Sequence, residues 1–359
     1  MNRLYYRYKL LKPEEKLKKI SRRNFLNDSL IITSSAFFHL GNFSQKNIQA
    51  ISDNKKGLKE YPSYLELYKN GILSQRADKL YSIYENCQLC PRDCRVNRMK
   101  GQTGKCKASS TVKVSSAAPH FGEEAPLVGK RGSGTIFFSN CGLRCIYCQN
   151  YSISIEGEGV EISDSRLAET MIKLQKFGCH NINLVTPTHY LPNIIKALQE
   201  AISMGLRIPL VYNTGGYERL EILQLLDGII DIYLPDCKYM DPKQSAKYSD
   251  EAYNYPYYAK IAIKEMFRQV GDLTTNKGIA VRGLLLRHLV LPNRVSGAEE
   301  FLKFVAENLS KTTYINIMRQ YRPEYKAMEY PKIGRRLKRS ENAEALNWAK
   351  KYGLNRLAR

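Results

Sequence analysis

No stretch of this 359-residue chain reaches the run of about 18 apolar residues that a membrane-spanning helix needs, so the sequence offers no transmembrane span. Acidic side chains are scarce: 34 Asp and Glu stand against 56 Lys and Arg, a formal charge of +22. Such an excess favours acidic proteins, nucleic acid or anionic surfaces, and it equally suits a solvated coat on an ordinary basic protein. Gly129, Gly132 and Gly134 form neither a Gly-x-Gly-x-x-Gly fingerprint nor a phosphate loop ending in Gly-Lys-Ser/Thr. They read instead as a tight turn into a strand at 135–139. With 43% hydrophobic residues, the chain can build a substantial core and a small second module, as a soluble enzyme would.

Cysteine is plentiful, nine in all, and seven fall into two sets. Cys141, Cys145 and Cys148 lie in SNCGLRCIYCQNYSIS as Cys-x3-Cys-x2-Cys, three thiolates from one tight loop. A tetrahedral zinc site wants a fourth protein ligand, whereas a [4Fe–4S] cluster can leave one iron open to a small molecule. The spacing therefore points to the cluster. Tyr147 is placed to pack beside the open coordination position.

The second set is Cys87, Cys90, Cys94 and Cys106, in NCQLCPRDCRVNRMKGQTGKC. Gly101 and Gly104 let the chain turn so that the fourth sulfur meets the others. On spacing alone, structural zinc and a second iron–sulfur cluster fit equally, with disulfides as the competing account. Cys179 and Cys237 fall outside both sets and read as buried free thiols.

Short apolar runs alternate with helical segments from residue 135 onward. Strands are expected at 135–139, 181–185, 210–212, 229–234, 281–290 and 314–319, with helices at 167–177, 193–204 and 219–226. Two short helices precede the four-cysteine segment, and a strand at 111–118 follows it. This alternation indicates an α/β fold with a parallel sheet, and six strands suit a partial (β/α)6 barrel carrying a small cysteine-rich N-terminal module. Function is then sought at strand ends.

The three-cysteine loop resembles the signature of the radical S-adenosylmethionine superfamily. Gln149, Asn150 and the run from His120 narrow the resemblance to proteins similar to pyruvate formate-lyase activating enzymes, over residues 80 to 330. The resemblance implies a [4Fe–4S] cluster on Cys141, Cys145 and Cys148 whose open iron binds S-adenosylmethionine. Reductive cleavage then gives a 5′-deoxyadenosyl radical that takes hydrogen from a substrate, with flavodoxin or ferredoxin as electron donor. Tyr147 becomes the adenine neighbour. Asp236-Cys237-Lys238 resembles the Asp-x-Lys element of activases, so Lys238 is expected on the cofactor carboxylate, with Asp236 fixing it. Asn213-Thr214 resembles the activase Asp-Thr-Asn-Gly strand end with Asn in place of Asp, and Arg287 precedes an activase-like LVLPN. Thr186, Thr188 and His189 stand where relatives carry a Gly-Gly-Glu-like segment, a departure from the pattern. His120, Glu123 and Glu124 form a weaker site candidate, typical of the related group.

The expected organisation is an extension at 1–40, a linker at 41–60, the four-cysteine module at 61–118, the barrel at 119–330 and a basic helical tail at 331–359. Around Arg22 and Arg23, SRRNFL resembles a twin-arginine export signal, although the apolar stretch behind it is short and interrupted; otherwise a cytoplasmic location is expected. Six tyrosines between 239 and 258 suit outer-layer packing, or a substrate, partner or nucleic-acid stacking surface. The substrate expected from the resemblance is a glycyl-radical protein. The alternatives are radical modification of RNA or a small metabolite, and a non-enzymatic electron-transfer or metal-binding protein.

Overall fold

The computed structural model describes residues 62–358; the expected extension with Arg22 and Arg23, and the linker at 41–60, lie outside the described residues. In chain order the strands are β1 (Val112–His120), β2 (Ser133–Phe138), β3 (Val160–Ile162), β4 (Ile182–Val185), β5 (Leu210–Thr214), β6 (Ile232–Pro235), β7 (Thr274–Asn276), β8 (Ile279–Leu289) and β9 (Tyr314–Met318). All nine join one sheet, and eleven α-helices accompany it among the described residues. Strands β2, β4, β5, β6, β8 and β9 run parallel and neighbour one another in that order. This is the partial (β/α)6 barrel expected from the alternation. Among the described residues no helix is long and apolar enough to cross a membrane.

The sequence builds these elements by familiar local chemistry. β5 is buried at every position, as a parallel strand covered on both faces should be. Helix Asp164–Lys176 opens on Ser163, whose hydroxyl accepts the Arg166 N–H at 3.1 Å. Helix Leu191–Ser203 carries Pro192 in its first turn, where a missing N–H costs nothing. Its stripe of Ile194, Ile195, Leu198 and Ile202 is buried in the main core with helices Ile72–Ser82 and Asp164–Lys176. Each such side chain contributes roughly 1.5–3 kcal/mol on burial.

Alternation along the strands separates two layers. Leu184, Tyr212, Tyr233 and Leu286 join the core shared with the helices. Val211, Ile232, Leu234 and Leu285 form a separate cluster on the opposite face. Thr135 and Asn183 stand in register with Val211 and Ile232, so that face also carries polar groups.

Several elements were not anticipated from the sequence, the short helices Ala125–Val128 and Tyr151–Ser154 among them. β3 and β7 are short antiparallel additions with mostly exposed residues, which leaves no burial period to read. Helix Ala298–Asn308 bridges β8 and β9, burying Phe301, Leu302 and Val305.

Candidate active site

The three-cysteine loop leaves the carboxyl end of β2 and turns through Asn140 and Arg144, both with left-handed backbone (φ 73° and 49°). Cys141, Cys145 and Cys148 are free thiols. Each sulfur has a polar neighbour. The Leu143 N–H lies 3.4 Å from Cys141 Sγ, Ser249 Oγ donates to Cys145 Sγ at 3.0 Å, and Ser154 Oγ lies 3.0 Å from Cys148 Sγ. Burial pushes the Cys145 thiol up to about 12, with Lys238 pulling the other way. Burial also raises Cys148, against the pull of Ser154. Thiols in this setting become thiolates only against positive charge, which a metal group supplies.

A row of alternating charges runs inward from this loop. Lys238 Nζ pairs with Asp236 Oδ2 at 2.8 Å, and Asp236 Oδ1 faces Arg287 Nε at 3.4 Å. Arg287 reaches Glu123 at 3.2 Å and Glu124 at 3.8 Å, and Glu123 in turn meets His120 at 3.4 Å. Burial alone would neutralise Asp236, but Lys238 and Arg287 together hold its carboxyl below the ordinary value. Glu123 is likewise lowered despite burial, by His120 and Arg287. Burial opposes the charge on Lys238 too, and Asp236 overrides it. The sequence-derived candidates Asp236, Lys238 and Arg287 are thus brought together, and the weaker trio His120, Glu123 and Glu124 joins them.

Backbone geometry makes the row possible. Gly216 has φ +74°, and a Cβ there would meet the Asp236 carbonyl oxygen at 2.6 Å. The close approach lets Tyr255 bridge the two strand ends: its hydroxyl donates to the Gly215 and Asp236 carbonyls and accepts the Lys238 N–H at 2.8 Å. Asn213, buried, takes the Thr186 N–H on its backbone carbonyl at 2.8 Å, joining the ends of β4 and β5.

The tyrosine-rich segment divides. Tyr239, Tyr248 and Tyr255 are fully buried, whereas Tyr253 and Tyr257 are exposed. Tyr147 is buried with its ring edge-on to Tyr239 and Tyr321. The segment therefore packs inward against the cysteine loop and is only in part an outer layer.

Cys87, Cys90, Cys94 and Cys106 are also free and line a single small cavity with Arg98 and His189; no disulfide joins them. Among the described residues no three Cys, His, Asp or Glu side chains are gathered closely enough to hold a single metal ion. Cys237 is a buried free thiol, as the sequence suggested, and burial pushes it up to about 12. Cys179 is buried as well.

The Radical SAM superfamily matches residues 135–271, from β2 to just past helix Tyr255–Val270. Uncharacterized protein MJ0674 of Methanocaldococcus jannaschii is 32% identical over 303 residues, 81% of this chain and 82% of that protein. The chain belongs to the radical SAM superfamily.

A radical SAM enzyme uses a [4Fe–4S] cluster and S-adenosylmethionine, and the residues present fit both. The loop supplies three thiols with hydrogen-bond donors near their sulfurs, the outer partners that tune such clusters. Beside them Asp236 Oδ1 and Arg287 Nε face each other at 3.4 Å as an ion pair that makes no hydrogen bond, an acceptor and a donor suited to an amino-acid zwitterion.

Several polar residues around this radical SAM site went unnoticed in the sequence. Glu218 is buried and accepts hydrogen bonds from Thr188, Tyr212 and Thr214, and burial pushes its carboxyl up to about 7. Asn183, also buried, leaves both amide atoms unpaired. A lone Asn within the apolar run INLV was the one available signal. Arg92 donates to the carbonyls of Gly142 and Ser249 at 2.8 and 2.9 Å, tying the four-cysteine segment to the three-cysteine loop. His189 makes no contact in the charge row among the described residues: its Nε2 donates to the Ser139 carbonyl at 2.7 Å, and burial lowers its pKa to about 3.

Proposed function

We propose that Cys141, Cys145 and Cys148 hold the [4Fe–4S] cluster and that Lys238, Asp236 and Arg287 receive the amino-acid end of S-adenosylmethionine. The reading is carried by the charge row beside three hydrogen-bonded thiols. A cluster held there would supply the single electron that cleaves the sulfonium to methionine and a 5′-deoxyadenosyl radical. Lys238 offers an ammonium to the cofactor carboxylate, while Asp236, relieved of that partner, accepts from the α-amino group. Arg287, anchored by Glu123, keeps Asp236 ionised. Asn213 lines the neighbouring strand end, and Tyr147 is the residue expected beside adenine.

The direct test is anaerobic reconstitution and reduction, followed by assay for 5′-deoxyadenosine, with Cys145→Ala as control. Product in the native protein alone supports the reading. A loaded, reducible cluster that leaves S-adenosylmethionine intact would replace it with electron transfer.

The hydrogen donor we propose is a glycine in a protein partner, with flavodoxin or ferredoxin as the electron donor. What supports this is the activase-like wording of the strand ends at Asn213-Thr214 and Asp236-Cys237-Lys238. A host proteome labelled with deuterated glycine provides the test. Deuterium appearing in 5′-deoxyadenosine supports a protein glycine. Label arriving only from RNA or small-molecule fractions overturns it.

A further inference from the structure

The chain that follows β9 crosses over the three-cysteine loop, and its two sides differ. Tyr321, Ala327 and Ile333 are buried in one cluster with Cys145 and Tyr147. The Lys326 N–H donates to the Ile146 carbonyl at 3.0 Å, between the second and third cysteines of the loop. Aromatic rings hold this cover down: Tyr321 meets Tyr147 edge-on, Tyr325 stacks on Tyr151, and Tyr330 meets Tyr248. Gly334 then turns the chain back onto the cover, close enough that a Cβ there would meet the carbonyls of Met328 and Tyr330 at 3.2 Å.

The outer side is cationic. Residues 319–339 hold eight Lys and Arg against two Glu, a surplus of +6. Glu324 is taken by Arg322 at 2.8 Å, and Arg335 is held by Glu341 at 2.8 Å. Arg319, Lys326, Lys332, Arg336, Lys338 and Arg339 are exposed, and none forms an ion pair with a carboxylate among the described residues. Lys247 adds its ammonium from a neighbouring helix, over the rings of Tyr248 and Tyr330. Met328, 68% exposed, supplies an adaptable apolar contact amid these charges. Fixed charge that the fold leaves unneutralised draws in partners of opposite sign and speeds their encounter by roughly 10- to 1,000-fold.

Three classes of acidic partner suit a basic face, and this cover separates them. A single strand of nucleic acid is held by stacking its bases on aromatic rings, and the tyrosines here spend theirs on the loop. A substrate that yields a hydrogen atom has to touch the radical, and the packed layer of Tyr321, Ala327 and Ile333 stands between this face and the cysteines. An electron crosses such a layer without an open channel.

We propose that residues 319–339 form the docking face for an acidic one-electron carrier protein, whose carboxylates meet the unpaired lysines and arginines, with Tyr321 and Tyr147 between it and the cluster. The proposal rests on the reading of Cys141, Cys145 and Cys148 as cluster ligands. The step moves a single electron: the carrier is oxidised by one, the cluster is reduced by one, and no bond is made or broken.

The probe is an acidic flavodoxin, tested against the reconstituted protein. Calorimetry with oxidised flavodoxin should show binding at low salt that weakens as salt is raised. Lys326→Glu/Lys332→Glu should weaken that binding about tenfold or more, and should slow reduction of the cluster by flavodoxin hydroquinone, followed by absorbance, to a similar degree. Reduction of the same variant by dithionite should keep the native rate. Lys173→Glu/Lys176→Glu removes equal charge from exposed positions on helix Asp164–Lys176 and should leave flavodoxin binding native. Native flavodoxin binding and reduction in Lys326→Glu/Lys332→Glu overturns the proposal, and so does an equal loss in the control pair. Uptake of single-stranded RNA by a native protein that ignores flavodoxin overturns it as well. Failure to cleave S-adenosylmethionine under dithionite bears on the cofactor reading alone, since docking is read without it.

Discussion

Ser249 donates its hydroxyl to the Cys145 sulfur at 3.0 Å, across 104 residues of chain, and lies 3.0 Å from the Tyr239 hydroxyl. Hydrogen bonds to a ligating thiolate favour the more negative, reduced state of an iron–sulfur cluster. Ser249→Ala should therefore lower the reduction potential of the three-cysteine site by tens of millivolts, with its iron content unchanged. A redox titration followed by electron paramagnetic resonance measures this. An unaltered potential would show that the contact does not reach the cluster.

Lys238 and Asp236 are each other's nearest opposite charge, 2.8 Å apart. A charge-assisted contact to the cofactor is worth about 1.5–3 kcal/mol, or roughly ten- to a hundredfold in affinity. Lys238→Met and Asp236→Asn should each weaken S-adenosylmethionine binding by that factor, read from the concentration at which the cofactor perturbs the cluster signal. Native affinity in both variants would place the cofactor elsewhere.

Arg92 holds two loops together through the carbonyls of Gly142, Ser249 and Asp250. Arg92→Ala removes the side-chain donor to the part-buried Gly142 and Asp250 carbonyls, each at a cost of about 1–3 kcal/mol, while Ser249 keeps the Ala252 N–H. The three-cysteine loop should loosen, and iron should pass to a chelator several-fold faster than from the native protein. Identical release rates would make the bridge incidental.

Glu218 gives a pH dependence of definite sign. Burial raises its carboxyl from the ordinary 4.5 to about 7, so the folded chain keeps a proton that the unfolded chain releases. Stability therefore falls as pH rises from about 4.5 to about 7, by roughly 3 kcal/mol in total, and then levels off. Glu218→Gln should remove that part of the slope. Denaturant unfolding of both proteins at the two ends of the window provides the comparison.

The barrel was legible because its parallel strands are apolar and punctuated by helical periods; INLV and LVYNT could hardly be read otherwise. The three-cysteine loop was legible as a candidate because its spacing within eight residues is a local property. Lys238 and Asp236 were singled out by resemblance to an activase Asp-x-Lys element at a strand end. Ser249, Arg92 and Glu218 were not, since each gains its meaning from a partner that only folding brings near. Arg92 and Ser249 stand 157 residues apart, and no period or motif connects them. The inward packing of Tyr239, Tyr248 and Tyr255 was hidden for the same reason, because composition does not say which side of a helix meets a loop.

The two margins of the sheet are protected differently. On one side Ile315 of β9 exchanges hydrogen bonds with Arg356 and Ala358. On the other, β3 pairs only with residues 112–114 of β1, and residues 115–120 take no strand partner on that side among the described residues. A row of that length is the kind of edge to which another chain adds a strand. Growth of the sheet is thereby favoured at the β1 margin.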